Sequence, residues 1–437
     1  MNSSNLTWGG CDVIELARKF GTPLYVLSED IIRARCREVK KSFLDKWKNT
    51  AAYYASKAFL TMAMARIIDS EGLGLDFVSG GEIYTAYKSG FDMERTLLHG
   101  SAKSDMEISE ALERGVGRIV IDNIQEISQV ADVAGSLGIR ARVLIRVATG
   151  VEPETHKAMR TSYTGGKFGI SLVDDNLEQA VKLAVSCPQI ELYGFHFHVG
   201  SMIYEPDAHV ESAGVMMKNI RQLRDSIGFE TRELDVGGGV GTARSPTEKT
   251  PEIAYFTDPI MTRIINDCEC FKLPRPKIMI EPGRWIVSEA GITLYSVESV
   301  KETGSFSEGR AWINVDGGMY DNPRPCLYGA KYSAVIADKI DVQGTREFAI
   351  AGHCCESGDT LIEAIKLPEP KRGDVIVFYN TGAYTFSMAS NYNRMRRPAV
   401  VLVKDGKAEM MVMRQSYDDL LSGEVMPEHL NNLMSRR

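Results

Sequence analysis

The chain has no apolar run long enough to cross a bilayer, and its first residues, Met1-Asn2-Ser3-Ser4-Asn5, carry neither a basic stretch nor an apolar core. No membrane span and no secretory leader are expected, and a cytoplasmic location is. Basic residues are outnumbered, 51 against 58, for a net charge of -7. The electrostatic footprint of a nucleic-acid-binding surface is therefore missing. Cysteine is sparse. Cys11, Cys36, Cys187, Cys268, Cys270, Cys326, Cys354 and Cys355 show no zinc-ligand spacing, and Cys268 and Cys270, one residue apart, make a poor metal pair. No metal site is expected, and the thiols are read as reduced. A Gly-x-Gly-x-x-Gly after the first strand of the alternating region is also absent, which counts against a doubly wound dinucleotide-binding sheet. There is no low-complexity tract, and no internal repeat beyond an alternation of strands and helices.

What is present is a long soluble chain, 44% apolar and 25% charged over 437 residues, too long for one ordinary core and sufficient for two domains. Short β-type runs occur at 51–55, 74–78, 96–99, 118–121, 140–147, 190–197, 231–236 and 276–281. Most gaps between them carry helical periodicity, as in Glu107 to Glu113, Ile124 to Leu137 and Val210 to Ile227. Strands apolar on both faces and alternating with helices belong to a parallel sheet, and eight such units predict an α/β fold of the (β/α)8 barrel type. After Ala290 helical pattern becomes scarce. Runs at 292–300, 311–315, 346–351, 374–379, 398–403 and 408–413 predict a second, β-rich domain of sandwich or barrel-like form. The expected boundaries are 30–288 for the barrel, and 1–29 with 289–437 for the β domain, which the strand near Leu24 joins. Ser28-Glu29-Asp30 is read as the cap of the first barrel helix.

Active sites of such barrels lie at the C-terminal ends of the strands. The residues expected there are Lys57 after the first strand, Asp76, Ser79 and Glu82 at the second, and Arg146 at the fifth. The sixth brings His196-Phe197-His198-Val199-Gly200-Ser201, the seventh Asp235-Val236-Gly237-Gly238-Gly239, and the eighth Glu281-Pro282-Gly283-Arg284. Each has an ordinary reading as well. A lone lysine snorkels, a lone histidine fills a core, an arginine forms a structural ion pair, and glycines mark a turn. Their joint occurrence at strand ends favours chemistry. Lys57 follows Tyr53-Tyr54-Ala55-Ser56, so desolvation is expected to lower its pKa and suit it to imine formation. Gly237-Gly238-Gly239 and Gly283 let backbone N–H groups approach a phosphate closely, with Ser201 and Arg284 as further donors. His198 offers a ring to stack and Glu281 a carboxylate. Together these parts suit pyridoxal 5'-phosphate.

The motifs Tyr54-Ala55-Ser56-Lys57-Ala58, Asp76-Phe77-Val78-Ser79-Gly80-Gly81-Glu82, Lys167-Phe168-Gly169-Ile170, His196 to Ser201, Gly237-Gly238-Gly239 and Glu281-Pro282-Gly283-Arg284 are similar to those of the fold-type III pyridoxal-phosphate decarboxylases. Asp316-Gly317-Gly318-Met319, Arg324-Pro325-Cys326-Leu327-Tyr328-Gly329-Ala330, Cys355-Glu356-Ser357-Gly358-Asp359 and Gly382-Ala383-Tyr384, running to Asn393, resemble the diaminopimelate decarboxylase branch. The resemblance implies decarboxylation of meso-2,6-diaminopimelate to L-lysine and CO2, the last step of lysine biosynthesis. It implies that Lys57 holds the cofactor, His198 stacks on its ring and Glu281 pairs with the pyridine nitrogen. Asp76, Arg146, Ser201, Gly238, Gly239, Gly283 and Arg284 complete the cofactor set. Arg284, Arg324, Tyr328 and Glu356 would take the far end of the substrate, and Tyr384 would touch cofactor and substrate. Cys355 is the candidate proton donor, with water as its rival. Members are head-to-tail homodimers in which Cys355 and Glu356 reach the neighbouring subunit's site. Two positions depart from the family's pattern: Phe59 stands where relatives usually have Asn, and Thr161-Ser162 where they show Thr-Gly.

Three other readings compete. An alanine-racemase-like enzyme would resemble its kin in placing arginine against the pyridine nitrogen, whereas a carboxylate such as Glu281 keeps that nitrogen protonated and the ring a strong electron sink. A decarboxylase of ornithine, lysine or arginine is the neighbouring alternative, against which Arg324 favours a substrate with a carboxylate at both ends, and a carboxynorspermidine-type substrate stays open beside it. A non-catalytic pyridoxal-phosphate-binding protein would resemble single barrels without a β domain, and Cys355, Glu356 and Tyr384 argue against it.

Overall fold

The computed structural model describes residues 6–152, 165–173, 175–243, 247–302 and 311–434. The chain divides into two compact units. One comprises Ser28–Gly291 with Tyr379–Ser387, and the other Met1–Leu27, Ile292–Phe378 and Met388–Arg437. The sequence reading put the 379–387 segment with the β domain. Backbone hydrogen bonds to the barrel chain carry it the other way: Thr381 N–H donates to Gly291 O at 2.9 Å, Gly382 N–H to Ser288 O at 3.1 Å and Tyr384 N–H to Ala58 O at 2.8 Å.

Strands of three or more residues are numbered along the chain. β1 is Leu24–Ser28, β2 Thr50–Ala55, β3 Gly74–Phe77, β4 Thr96–Leu98, β5 Arg118–Ile121, β6 Ala141–Ala148, β7 Ile190–His196, β8 Glu233–Asp235 and β9 Lys277–Ile280. Helices α1 (Val13–Phe20) and α2 (Glu29–Val39) precede β2. Helices α3 (Met62–Ser70), α4 (Gly80–Ser89), α5 (Asp105–Glu113), α6 (Ile124–Leu137), α7 (Asn176–Ser186), α8 (Asp207–Ile227) and α9 (Ile253–Phe271) alternate with the strands. The strands are parallel, in the order β7-β8-β9-β2-β3-β4-β5-β6, and pairing of β6 with β7 closes the ring. This is the (β/α)8 barrel that the sequence implies. Closure removes every strand edge, and side chains fill the lumen. Tyr53, Leu97, Val120, Leu144 and Met279 form one such inward cluster.

Turn chemistry fixes where each strand gives way to its helix. Ser79, Ser104 and Asn123 cap α4, α5 and α6 through side-chain oxygens, and Gly90, Gly138 and Gly228 end α4, α6 and α8 in the left-handed conformation. Ser79 and Glu82, expected at the mouth, serve this capping. Ser79 accepts from Glu82 N–H at 3.4 Å, and Glu82 accepts from Val78 N–H at 2.6 Å. At the opposite end of the barrel Arg118 grips Glu233 with two hydrogen bonds of 2.8 Å. Arg118 and Arg232 each lie over the ring of Tyr193, at 3.9 and 3.8 Å.

The β unit holds β10 (Gly291–Glu302), β11 (Ala311–Val315), β12 (Ala334–Ile336), β13 (Arg346–Ala351), β14 (Thr360–Leu367), β15 (Val375–Phe378), β16 (Ala399–Lys404) and β17 (Lys407–Val412). Its sheet runs β14-β13-β11-β10-β1-β16-β17, with β15 pairing both β10 and β12. The N-terminal strand is thus an interior member of this sheet. Its core gathers Tyr295, Ile313, Phe348, Ile350, Ile376 and Phe378. Beyond the barrel, α10 (Arg284–Val287) precedes β10, α11 (Arg324–Tyr328) stands between β11 and β12, and α12 (Tyr417–Leu421) and α13 (Glu428–Met434) close the chain.

Candidate active site

Lys57 lies in a 3-10 turn, Ser56–Ala58, directly after β2, and α3 starts only at Met62, capped by Thr61. The turn bends the chain across the barrel mouth. Burial opposes charge on Lys57, but Asp76, Tyr384 and Glu281 outweigh it, so its ammonium form is held above the ordinary lysine range. This corrects the sequence expectation of a lowered lysine. The desolvating neighbours stand beside Lys57 in sequence, whereas the carboxylates arrive from β3 and β9 and become visible only once the barrel closes. Burial in turn pushes the Asp76 carboxyl up to about 6, against the pull of Lys57. Neither Asp76 oxygen has a well-aligned hydrogen-bond partner among the described residues.

Glu281 follows β9 and is buried between two histidines. His99 Nε2 stands 2.7 Å from Oε1, and His196 Nε2 3.5 Å from Oε2. The two rings meet edge to face, 4.7 Å between centroids. Burial works against the charge of Glu281, yet His99 and His196 hold its carboxyl well below the usual range. Burial also drives His196 down to about 3. Burial, and then the neighbouring Glu281, raise the carboxyl of Asp235 well above the carboxylate range, so the two carboxyls are pushed apart with Glu281 the more acidic. Glu281 Oε1 and His99 Nε2 approach closely without hydrogen-bond alignment, so the carboxylate keeps acceptor capacity. Sequence reasoning missed His99. It directly follows β4, and the strand-end rule applied to the third strand would have found it. His99, His196 and Glu281 also bring three donor atoms within 4.8 Å of one another, a set that no sequence spacing announces.

The glycine loop after β8 is a tight cradle. A Cβ at Gly238 would sit 2.0 Å from Glu281 O, and one at Gly239, whose φ is +95°, 2.0 Å from Gly200 O. Gly238 N–H donates to His198 Nδ1 at 3.2 Å, which leaves the His198 proton on Nε2. Burial keeps that ring neutral, well below its usual pKa. Ile203 N–H donates to Gly239 O at 3.0 Å, drawing the Ser201 segment alongside the loop. Gly283 packs against the end of β2, where a Cβ would meet Ala55 Cβ at 2.7 Å. The Arg284 guanidinium lies over the Tyr384 ring at 4.5 Å, and Tyr384 takes a left-handed φ of +60°, unusual for a bulky residue. Arg146 is buried, 3.8 Å from Asp122 Oδ1 and 4.4 Å over the Phe168 ring, in an ion pair of the kind the ordinary reading allowed. Phe59 is buried and packs on Phe386 at 5.5 Å, while Thr161-Ser162 lies outside the described residues.

The β unit assembles the other set. Arg324 is buried and stacked on Tyr328 at 5.2 Å within α11. Cys326 Sγ donates to Gly358 O at 2.6 Å, tying this one-turn helix to the 355–359 loop. Asp359 braces the same loop, accepting from Cys354 N–H at 2.7 Å and Met319 N–H at 2.6 Å. Cys355 and Glu356 are exposed. Cys355 N–H donates to Asn393 Oδ1 at 2.9 Å, and Glu356 Oε2 accepts from Tyr392 O–H at 3.3 Å. Cys354, next in sequence, is buried, and its thiol is pushed up to about 12. Of the two adjacent thiols, only Cys355 faces solvent in this unit.

The barrel residues fit pyridoxal 5'-phosphate. They supply an amine, a neutral ring face, a buried anion with spare acceptor capacity and a glycine cradle that any Cβ would fill. The family model described as pyridoxal-dependent decarboxylase, pyridoxal binding domain, matches residues 29–288. Diaminopimelate decarboxylase of Bacillus subtilis is 41% identical over 417 residues, 95% of this chain and 94% of that one. The enzyme of that name from Mycobacterium bovis is 37% identical over 422 residues, with the same shares of each chain covered. Among solved structures, diaminopimelate decarboxylase from M. jannaschii in co-complex with L-lysine superposes with a TM-score of 0.89 at 30% identity, over 98% of this chain and 99% of that chain. Fold, barrel site and near full-length identity agree, and the chain belongs to the diaminopimelate decarboxylase family of pyridoxal-dependent decarboxylases.

Proposed function

We propose that the protein decarboxylates meso-2,6-diaminopimelate to L-lysine and CO2, as a pyridoxal-phosphate-dependent carboxy-lyase. The observation that carries this reading is Glu281, kept anionic and buried at the barrel mouth where Lys57 also lies. When bound, the cofactor supplies an aldehyde that condenses with amines and an electron-poor ring that takes the electron pair released as CO2 departs. Lys57 holds it covalently. His198 presents its ring face, with its tautomer set by Gly238. Glu281 would pair with the pyridine nitrogen, and the surrounding burial would strengthen that pairing. The glycine loop, Ser201 and Arg284 take the phosphate end, and Arg146 and Asp76 set the charge around the lysine.

In the β unit, Arg324 and Glu356 offer a cation and an anion to the far carboxylate and ammonium, with Tyr328 as a neutral wall. Cys355 delivers the proton that replaces CO2. The working unit is a cytoplasmic homodimer in which these β-unit residues serve the partner's barrel. The exposure of Cys355 and Glu356 supports this, since a proton donor and an ion-pairing group need enclosure to act. With pyridoxal phosphate added, the purified protein is expected to release one CO2 per L-lysine formed from the meso isomer. CO2 release without lysine, or none, would refute the assignment.

A further inference from the structure

His209 takes no part in the site as described, yet it is buried on the first turn of α8 and reaches the glycine loop from behind. Its Nε2 lies 2.8 Å from Gly238 O. A carbonyl only accepts, so Nε2 carries the proton. Nδ1 is buried without a partner among the described residues, as it would be in the neutral tautomer. The ring is fixed edge to face against Phe256 of α9, 6.3 Å between centroids. A cavity of about 20 Å³ lies behind the loop, lined by His209, Gly237, Gly238, Phe256 and Ile280 among others. The imidazole is the polar strut of the Gly238 carbonyl.

The peptide unit joining Gly238 to Gly239 is planar and trans, so its C=O and N–H point in opposite directions. Pinning the carbonyl onto His209 aims the Gly239 N–H away from α8, and among the described residues that N–H donates no hydrogen bond. Without the strut, this peptide keeps only the flanking bonds of Gly238 N–H to His198 and of Gly239 O to Ile203, and its own carbonyl, set between two glycines, is no longer fixed in direction.

We infer that His209 is a positioning residue for the anion cradle: by holding the Gly238 carbonyl, it presets the Gly239 N–H for the phosphate oxygens of the cofactor. This rests on the reading of the glycine loop as the phosphate site, and the expected effect falls on the phosphate alone.

The test is equilibrium titration of the full-length apo-protein with pyridoxal 5'-phosphate and, separately, pyridoxal. The wild type is expected to prefer the phosphorylated form. His209→Leu should lose roughly tenfold of that preference, about one hydrogen bond to a charged group, with pyridoxal affinity unchanged. His209→Gln, which keeps a donor at similar reach, should restore most of it. Equal weakening of both ligands, or a preserved preference in His209→Leu, would overturn the inference. A wild type without any preference would instead overturn the cradle reading itself. A second measurement needs no variant. Imidazole 15N shifts of the wild-type apo-protein should show His209 protonated on Nε2 across pH 6–8, and protonation on Nδ1 would overturn the strut.

Discussion

Lys57 is pulled in two directions by its surroundings. Burial disfavours its charge, and Asp76, Tyr384 and Glu281 restore it, so the cofactor-free lysine rests as an ammonium. Covalent attachment needs the free amine, and loading should therefore accelerate as pH rises. Asp76→Asn removes the strongest of the anionic neighbours. The pKa of Lys57 should fall, and each unit lost raises the free-amine fraction at pH 7 about tenfold. Stopped-flow absorbance should show faster loading at pH 7 and a pH profile displaced to lower pH. An unshifted profile would mean that Asp76 does not govern this lysine. Lys57→Ala should lose the borohydride-fixable cofactor together with turnover, and a retained reducible adduct would point to another lysine. At Glu281, the change to Gln should leave cofactor binding in place and slow decarboxylation by roughly 10²-fold or more, if the charge-assisted bond lost is worth ~3 kcal/mol in the transition state. His196, neutral above about pH 3, should contribute no inflection to the pH–rate profile between 5 and 9.

Among the elements, the barrel strands were legible because parallel strands buried on both faces read as apolar runs, and Gly74-Leu75-Asp76-Phe77 is such a run with every residue buried. β14 escaped notice. Thr360-Leu361-Ile362-Glu363-Ala364-Ile365-Lys366-Leu367 mixes helix-favouring residues with three exposed positions, and only its pairing with β13 makes it a strand. The candidate site was legible where a residue ends a strand, as at Lys57, His198 and Glu281. Contacts across the barrel, such as His99 on Glu281 and His209 on Gly238, have no local pattern. The glycine loop gives this scale its own test. Gly115 and Gly239 both take positive φ, +77° and +95°, but a Cβ meets nothing within 4 Å at Gly115 and collides with Gly200 O at Gly239. Gly115→Ala should cost about 1 kcal/mol of stability with cofactor affinity intact. Gly239→Ala should also lose most cofactor affinity in the titration. Equal cofactor affinity in the two variants would remove the loop from the phosphate site.

For the whole molecule, the candidate residues fall in both units. The barrel unit carries Lys57, His198 and Glu281, and the β unit carries Arg324, Cys355 and Glu356. If the β-unit residues serve the partner's barrel, inactive Lys57→Ala and inactive Cys355→Ala proteins should regain activity on mixing, since some heterodimers hold one intact site. No recovery, with subunit exchange confirmed, would refute sharing. The central claim is that the substrate carries a carboxylate at both ends, and its most direct test is kcat/KM for meso-diaminopimelate against L-lysine on the same holoenzyme. Without the distal carboxylate, the buried Arg324 guanidinium would lose a bidentate, charge-assisted contact to the substrate, a penalty of roughly 2–5 kcal/mol. The expected ratio is therefore about 10² or more in favour of the meso isomer, and Arg324→Ala should shrink it by losing the diaminopimelate reaction, not by improving lysine. Comparable efficiency with L-lysine would contradict the account.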